Sequence, residues 1–217
     1  MTSKHRAIIF SGIDGSGKSR HANKLAEELR KSGRKVESIW MRGYGRIFFS
    51  LPVLAFCRAL KITYVKTLKN GLKISLYRFH DYKPLCVLWP WVQLVDSMIF
   101  NLLLVYRPLR PSTSISILDR SAVDNLVDVI ADTEKPFFPE MLEKCFINLI
   151  PNNAIVILLT VDEYTALGRK RDIANVDYLR KRSVLYHYLS CKYKWKSFET
   201  ESPFFATHSK ILKYVSG

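Results

Sequence analysis

The sequence predicts an α/β fold, a parallel sheet with helices on both faces, on three observations. Residues 6–11 (Arg-Ala-Ile-Ile-Phe-Ser) show no polar alternation and read as a short strand buried on both sides. That strand runs through a glycine-rich turn into an amphipathic helix and then a second strand, a spacing that demands parallel pairing. Two further apolar runs, 114–118 and 154–160, recur downstream with helical patterns between them.

Each element follows from local pattern. In the first helix, 18–31, Ala22, Leu25, Ala26 and Leu29 form one apolar stripe, and Gly33 stops it. Strand 35–40 comes next. Residues 40–113 are the least regular part, rich in aromatics, with helical patterns near 47–60, 65–79 and 85–106. Strand 114–118 ends at Asp119-Arg120, a helix follows from Ala122, and another covers 139–149. Strand 154–160 is the clearest of all, and Asp162 caps the helix after it. A basic turn, Arg169-Lys170-Arg171-Asp172, precedes a long helix to about Trp195, on which Val176, Leu179, Tyr186, Leu189 and Tyr193 share a face. A short fifth strand near 197–199 and a helix from Ala206 complete the chain. With no repeat, low-complexity run or linker, residues 1–217 are expected to form one domain.

Composition narrows the possible functions. Hydrophobic residues make up 48% and charged residues 24% of the 217, which fits a folded chain rather than a disordered one. Thirty-four Lys and Arg against nineteen Asp and Glu give a net charge of +15. Such a charge attracts polyanions: nucleotides, nucleic acid or an anionic membrane surface. Cys57, Cys86, Cys145 and Cys191 form no CxxC and no zinc-like cluster with histidine, so a reduced, intracellular chain is expected. The first apolar run is too short for a signal peptide and serves as a strand. Residues 87–106 are strongly apolar but contain Pro90, Gln93, Asp96, Ser97 and Asn101. A central Asp costs roughly 2.5–3.5 kcal/mol in a lipid-facing span, so a buried helix is expected there.

The chemistry concentrates in Gly12-Ile13-Asp14-Gly15-Ser16-Gly17-Lys18-Ser19, which matches G-x-x-x-x-G-K-[ST], the P-loop. Gly12, Gly15 and Gly17 let the backbone around Asp14 and Ser16 curl. Successive N–H groups then point at phosphate oxygens, at the positive end of the following helix. Lys18 is expected to reach the β- and γ-phosphates of ATP, and the Ser19 hydroxyl to ligate magnesium. Asp119-Arg120 ends a strand at the carboxyl edge of the sheet, where ligands of such sheets bind. An Asp there can hold magnesium through water, and an Arg can bridge the exchanging phosphates.

The order of these motifs, together with Arg169-Lys170-Arg171 ahead of a helix containing Tyr-Leu-Arg-Lys-Arg, resembles the thymidylate kinases. The resemblance implies the P-loop NTPase fold of the nucleoside-monophosphate kinases: a five-stranded parallel sheet, an acceptor-binding insert (about 41–113) and a lid (about 168–177). It implies transfer of the γ-phosphate of Mg·ATP to dTMP. By position, Asp14, Arg42, Arg120 and Asn125 would bind the acceptor nucleotide, and Asp119 would join Ser19 at the magnesium. Lys18, Arg120, Arg169 and Arg171 would act on the transferring phosphate. The chain departs from the family on the acceptor side. Arg42-Gly43-Tyr44-Gly45-Arg46 replaces Arg-Glu-Pro-Gly-Gly-Thr, Ser121 follows Asp119-Arg120 in place of Tyr, and Ser97 stands where an Arg is common. Asp128 falls near the aromatic that crowds a ribose 2′-hydroxyl in some members.

Tyr77-Arg78-Phe79-His80 reads either as a helix end or as replacement acceptor contacts, an aromatic for a base and a cation for phosphate. His21, His187 and His208 read as isolated. A cytoplasmic homodimer is expected, with no specific nucleic-acid or membrane partner. A kinase for another small-molecule acceptor and an ATP-dependent protein of nucleic acid or membrane remain the alternatives.

Overall fold

The computed structural model describes residues 7–41, 49–67, 71, 73–77, 79–105, 114–134, 139–170 and 172–216. Five strands, β1 (Ala7–Ser11), β2 (Lys35–Trp40), β5 (Ser114–Asp119), β6 (Ala154–Thr160) and β7 (Lys196–Glu199), form a parallel sheet in the order β2-β5-β1-β6-β7. Helices pack around it, giving the α/β fold of a P-loop NTPase. The apolar run of β1 takes the central position, and every one of its residues is buried. Alternation along it feeds two core layers. Ile8 and Phe10 pack with Leu25 and Leu29 of α1 (Lys18–Lys31) and Ile211 of α8 (Phe204–Ser216), while Ala7 and Ile9 pack with Leu118 and Val156. Gly33, at φ 80°, stops α1 by donating from its N–H to the Arg30 carbonyl.

On the other side of the sheet, a larger core joins α2 (Ser50–Ala59), α3 (Lys83–Phe100), α4 (Ala122–Thr133), α5 (Glu140–Ile147) and α7 (Val176–Tyr193). Leu179, Tyr186 and Leu189 of the expected α7 face are buried, with Arg182 among them. Between β6 and α7, Asp162 caps α6 (Glu163–Arg169) by accepting from the Thr165 N–H at 2.9 Å.

Three expectations need correction. The helix expected over 65–79 is an antiparallel hairpin of β3 (Thr63–Thr67) and β4 (Lys73–Tyr77). Thr63, Val65, Thr67 and Ile74 favour extended backbone, and Asn70-Gly71 is a hairpin-turn dipeptide, with Gly71 at φ 79°. Phe79 is not a base-stacking residue: it is fully buried, its ring 4.7 Å from that of Trp89. Arg78 lies outside the described residues.

The third correction concerns α3, which continues through a π-helical turn, Asn101–Val105, and is only half buried. Its polar residues form the inward face. The Asp96 carboxylate accepts from the backbone N–H groups of Phe49 (3.1 Å) and Ser50 (2.9 Å) and from the Ser50 hydroxyl. Asp96 thereby caps the N-terminus of α2 from a neighbouring helix. Gln93 donates to the same Ser50 hydroxyl at 2.7 Å. The outward face is apolar.

Candidate phosphate-binding cleft

The loop between β1 and α1 needs its glycines. Gly12 and Gly15 have φ of 142° and 85°, and a Cβ on them would lie 2.3 Å from the Leu159 carbonyl oxygen and 2.5 Å from that of Ala166. Only a residue without a side chain lets the loop approach β6 and α6 this closely. Gly17, at φ 86°, precedes the first turn of α1. Inside the loop the Lys18 ammonium is buried, donating to the carbonyls of Gly12 (2.7 Å) and Ile13 (2.6 Å). Burial pulls its pKa down to about 8, and the nearby Arg120 charge acts the same way.

Ser19 donates from its hydroxyl to Oδ2 of Asp119, at the end of β5. The buried Oδ1 of Asp119 has no hydrogen-bond partner among the described residues. Parallel register brings them together, since Phe10 of β1 pairs with Asp119. The next residue, Arg120, adopts φ 77°, strained for a side chain that is not glycine, and its N–H donates to the Phe10 carbonyl at 3.0 Å. The strain points its guanidinium at the loop, where it pairs with the Asp14 carboxylate. Lys170 reaches the same carboxylate at 3.1 Å. Burial works against ionisation of Asp14. The positive fields of Arg120, Lys18 and Lys170 outweigh it and hold the carboxyl well below the usual range. Arg169 donates to the carbonyls of Gly15 (3.4 Å) and Thr200 (2.9 Å).

Asp14, loop residues 15–19, Arg120, Arg169, Lys170 and Phe204 line one cleft of about 580 Å³, while Asp119 lines an adjoining one that shares Ser19. The Arg20 guanidinium lies 4.0 Å above the Phe204 ring, and the His21 ring stacks on it at 4.5 Å. His21 and His208, isolated in sequence, are buried together with their Nδ1 atoms 3.3 Å apart, and His208 reaches Glu28 at 3.0 Å. The cleft thus brings together Asp14, Gly15, Ser16, Gly17, Lys18, Ser19, Arg120 and Arg169. Arg42 and Arg171 lie outside the described residues. Asn125 is buried against α3 instead of lining the cleft. Its side-chain N–H donates to the Ser97 hydroxyl at 2.9 Å, and its Oδ1 has no partner among the described residues.

Sequence reasoning passed over three residues, Lys170, Asp124 and Phe204. Lys170 sat in the basic turn without a role. Asp124 is buried one layer behind Arg120 and accepts from the Ser11 hydroxyl (2.9 Å), the Ser121 N–H (2.9 Å) and the Tyr186 hydroxyl (2.7 Å). Burial raises its pKa although Arg120 and Lys18 pull the other way. The spacing Ser121-x-x-Asp124, a capping box for α4, was the available signal. Phe204 had none, because it follows an irregular stretch with no periodic pattern. Asp128 accepts at Oδ1 from the buried Arg182 Nε at 2.7 Å, and Arg182 also holds Asp132 at 2.8 Å.

No model of a known protein family matches the chain. A stretch of 34 residues is 62% identical to the thymidylate kinase of Dinoroseobacter shibae. The match spans 16% of this chain and 16% of that protein. The likeness is therefore strong but local, and on its own it covers too little to fix an acceptor.

Proposed function

We propose that this chain is an ATP-dependent nucleoside-monophosphate kinase with dTMP as the favoured acceptor. The observation that carries this reading is the convergence of Lys18, Arg120, Arg169 and Lys170 on the mouth of the glycine loop, with Asp14 paired to Arg120 and Lys170. Two polyanions must approach within bonding distance for phosphoryl transfer, and cations held in advance at that point lower the cost. On ATP binding the Lys18 ammonium exchanges two loop carbonyls for β- and γ-phosphate oxygens. Ser19 and Asp119 suit a magnesium ion, since a hydroxyl and a carboxylate are held side by side by their own hydrogen bond, and such oxygen ligands with phosphate and water would complete its shell. When bound, that ion would neutralise charge on the phosphate oxygens.

An acceptor phosphate is already anionic, so its oxygen can attack the γ-phosphorus without losing a proton. The new P–O bond forms as the bond to the β-phosphate oxygen breaks, and ADP leaves. Arg120 stands between donor and acceptor, and Arg169 closes from the lid side. Arg42 and Arg171 are assigned to the acceptor phosphate and the lid by the resemblance alone. A cytoplasmic setting, where nucleotides and magnesium are abundant, belongs to the same proposal.

Initial rates with dTMP, dUMP, UMP, CMP and AMP under saturating Mg·ATP test it. The expected result is fastest ADP formation with dTMP. A rate with no acceptor above the ATPase background would overturn the kinase reading; a faster acceptor would overturn dTMP alone.

A further inference from the structure

Asp124 has more partners than a helix cap requires. As the third residue of α4 it closes a capping box with Ser121, and that role needs only the Ser121 N–H. Yet Asp124 is 1% exposed and takes two further donors from other elements. One is the hydroxyl of Ser11, at the end of β1, at 2.9 Å; the other is the hydroxyl of Tyr186, on α7, at 2.7 Å. Burial among three neutral donors opposes ionisation of this carboxyl, and the fields of Arg120 and Lys18 offset only part of that. An acid at the surface would cap α4 without the penalty of burial.

What the extra contacts accomplish follows from where they lie along the backbone. Oδ2 of Asp124 accepts both from Ser11 and from the N–H of Ser121, which belongs to the peptide unit following Arg120. The N–H of Arg120 itself donates to the Phe10 carbonyl at 3.0 Å, and Phe10 adjoins Ser11. Arg120 is therefore gripped on both sides by consecutive residues of β1, directly through Phe10 and by way of Asp124 through Ser11. Between the two grips lies its strained φ of 77°. The Tyr186 hydroxyl holds Oδ1 and so keeps the carboxylate from turning away.

We propose that Asp124 is a positioning residue, which clamps the backbone of Arg120 and so aims its guanidinium at the mouth of the glycine loop. The effect on turnover rests on the kinase reading; the clamp does not. A group displaced by about 1 Å from a transferring phosphate can lose about 10²-fold in rate, so the aim of Arg120 matters as much as its charge.

Kinetics and urea melts of the full chain test the proposal. Asp124→Ala should lower kcat by about tenfold or more in folded protein, with KM for ATP within about threefold, because Lys18 and the loop keep their own contacts. Asp124→Asn should recover kcat to within about threefold of wild type, since its amide oxygen can stand at Oδ2 and its N–H groups can donate to Tyr186. Ser11→Ala/Tyr186→Phe leaves the capping box intact and should still lower kcat by about threefold or more; it serves too should Asp124→Ala fail to fold. In an Arg120→Ala background neither change should lower turnover further. In the melts, the stability difference between Arg120→Gly and Arg120→Ala should disappear once Asp124→Ala or the Ser11/Tyr186 pair is added. That comparison reads no activity, so it decides the clamp even if no acceptor raises ADP formation by the wild type, a result that would count against the kinase reading instead. Normal kcat in the folded variants, Asp124→Asn no better than Asp124→Ala, losses that add to that of Arg120→Ala, or an unchanged Gly–Ala difference would each overturn the proposal.

Discussion

The phosphate cleft and the α2–α3 region lie in one fold but are specified by different means. In the cleft, shape comes from backbone. Gly12 and Gly15 leave no room for a Cβ, Arg120 is held at positive φ, and β1–β5 register sets Ser19 against Asp119. In α2 and α3, shape comes from one buried carboxylate, Asp96, and from apolar packing, while a long apolar face is left outside. A backbone-defined site tolerates almost no substitution. A side-chain-defined one can drift while the fold persists.

The contrast predicts that changes in the first region abolish activity with little loss of stability, and that the second region behaves the opposite way. Lys18→Ala is the strongest test. Turnover in a coupled ADP assay should drop by about 10³-fold or more, while the melting temperature moves by only a few degrees, since no core packing is lost. Near-normal turnover by the folded variant would remove the cleft from the reaction.

Arg120→Gly should lower turnover by about 10²–10³-fold. It should also stabilise the fold relative to Arg120→Ala by about 1 kcal/mol in urea melts, because glycine accepts φ 77° without strain. Equal stability of the two variants would mean the backbone strain is relieved elsewhere.

Arg169→Ala should reduce kcat by about 10–10²-fold with a smaller rise in KM for ATP, as expected for a charge used mainly in the transition state. A rise in KM with kcat unchanged would make Arg169 a binding residue only.

Asp96→Ala supplies the opposite case. Three donors at the start of α2 lose their acceptor, at a cost of about 1–3 kcal/mol measured by denaturant unfolding. ATPase background in the folded fraction should be retained.

The smallest effect expected is on pH dependence. His21 is pulled down to about 4 by burial, with His208 and Arg20 adding to the shift. The unfolded chain therefore binds a proton between about pH 6.5 and 4 that the folded chain refuses, so stability is full above this window and falls as pH drops through it. Thermal melts at pH 7.5 and 5 should show that fall, reduced in His21→Phe. An unchanged slope in the variant would place the titration on another group.

Much of this was legible in sequence where a residue's role is local. The glycine loop, the stripe on α1, the β1 run and the Asp162 cap are set within a few residues, and each stands where its pattern put it. Asp119-Arg120 was legible because the carboxyl end of a parallel strand is a known place for ligands. The hairpin at 63–77 was missed because its apolar spacing also fits a helix, although Asn70-Gly71 was the better guide. Asp124 showed only its capping-box spacing from Ser121, since its contact with Ser11 lies 113 positions away, whereas Lys170 and the His21–Phe204–His208 stack depend on contacts more than one hundred positions apart, or on an irregular loop, and no local pattern encodes them.

The strand order has a consequence for synthesis on the ribosome. Within the five-stranded sheet, β1 takes its neighbours from residues 114–119 and 154–160, and β2 pairs with β5. Until residue 114 emerges, neither early strand has a hydrogen-bonding neighbour in that sheet, although the glycine loop was made a hundred residues before. Contacts this distant form late. The loop then waits for Asp119 and Arg120, for Ala166 against Gly15, and for Thr200 beneath Arg169. The cleft is thus among the last parts of the molecule to take shape, and a nascent chain released before residue 119 carries the motif without the cleft.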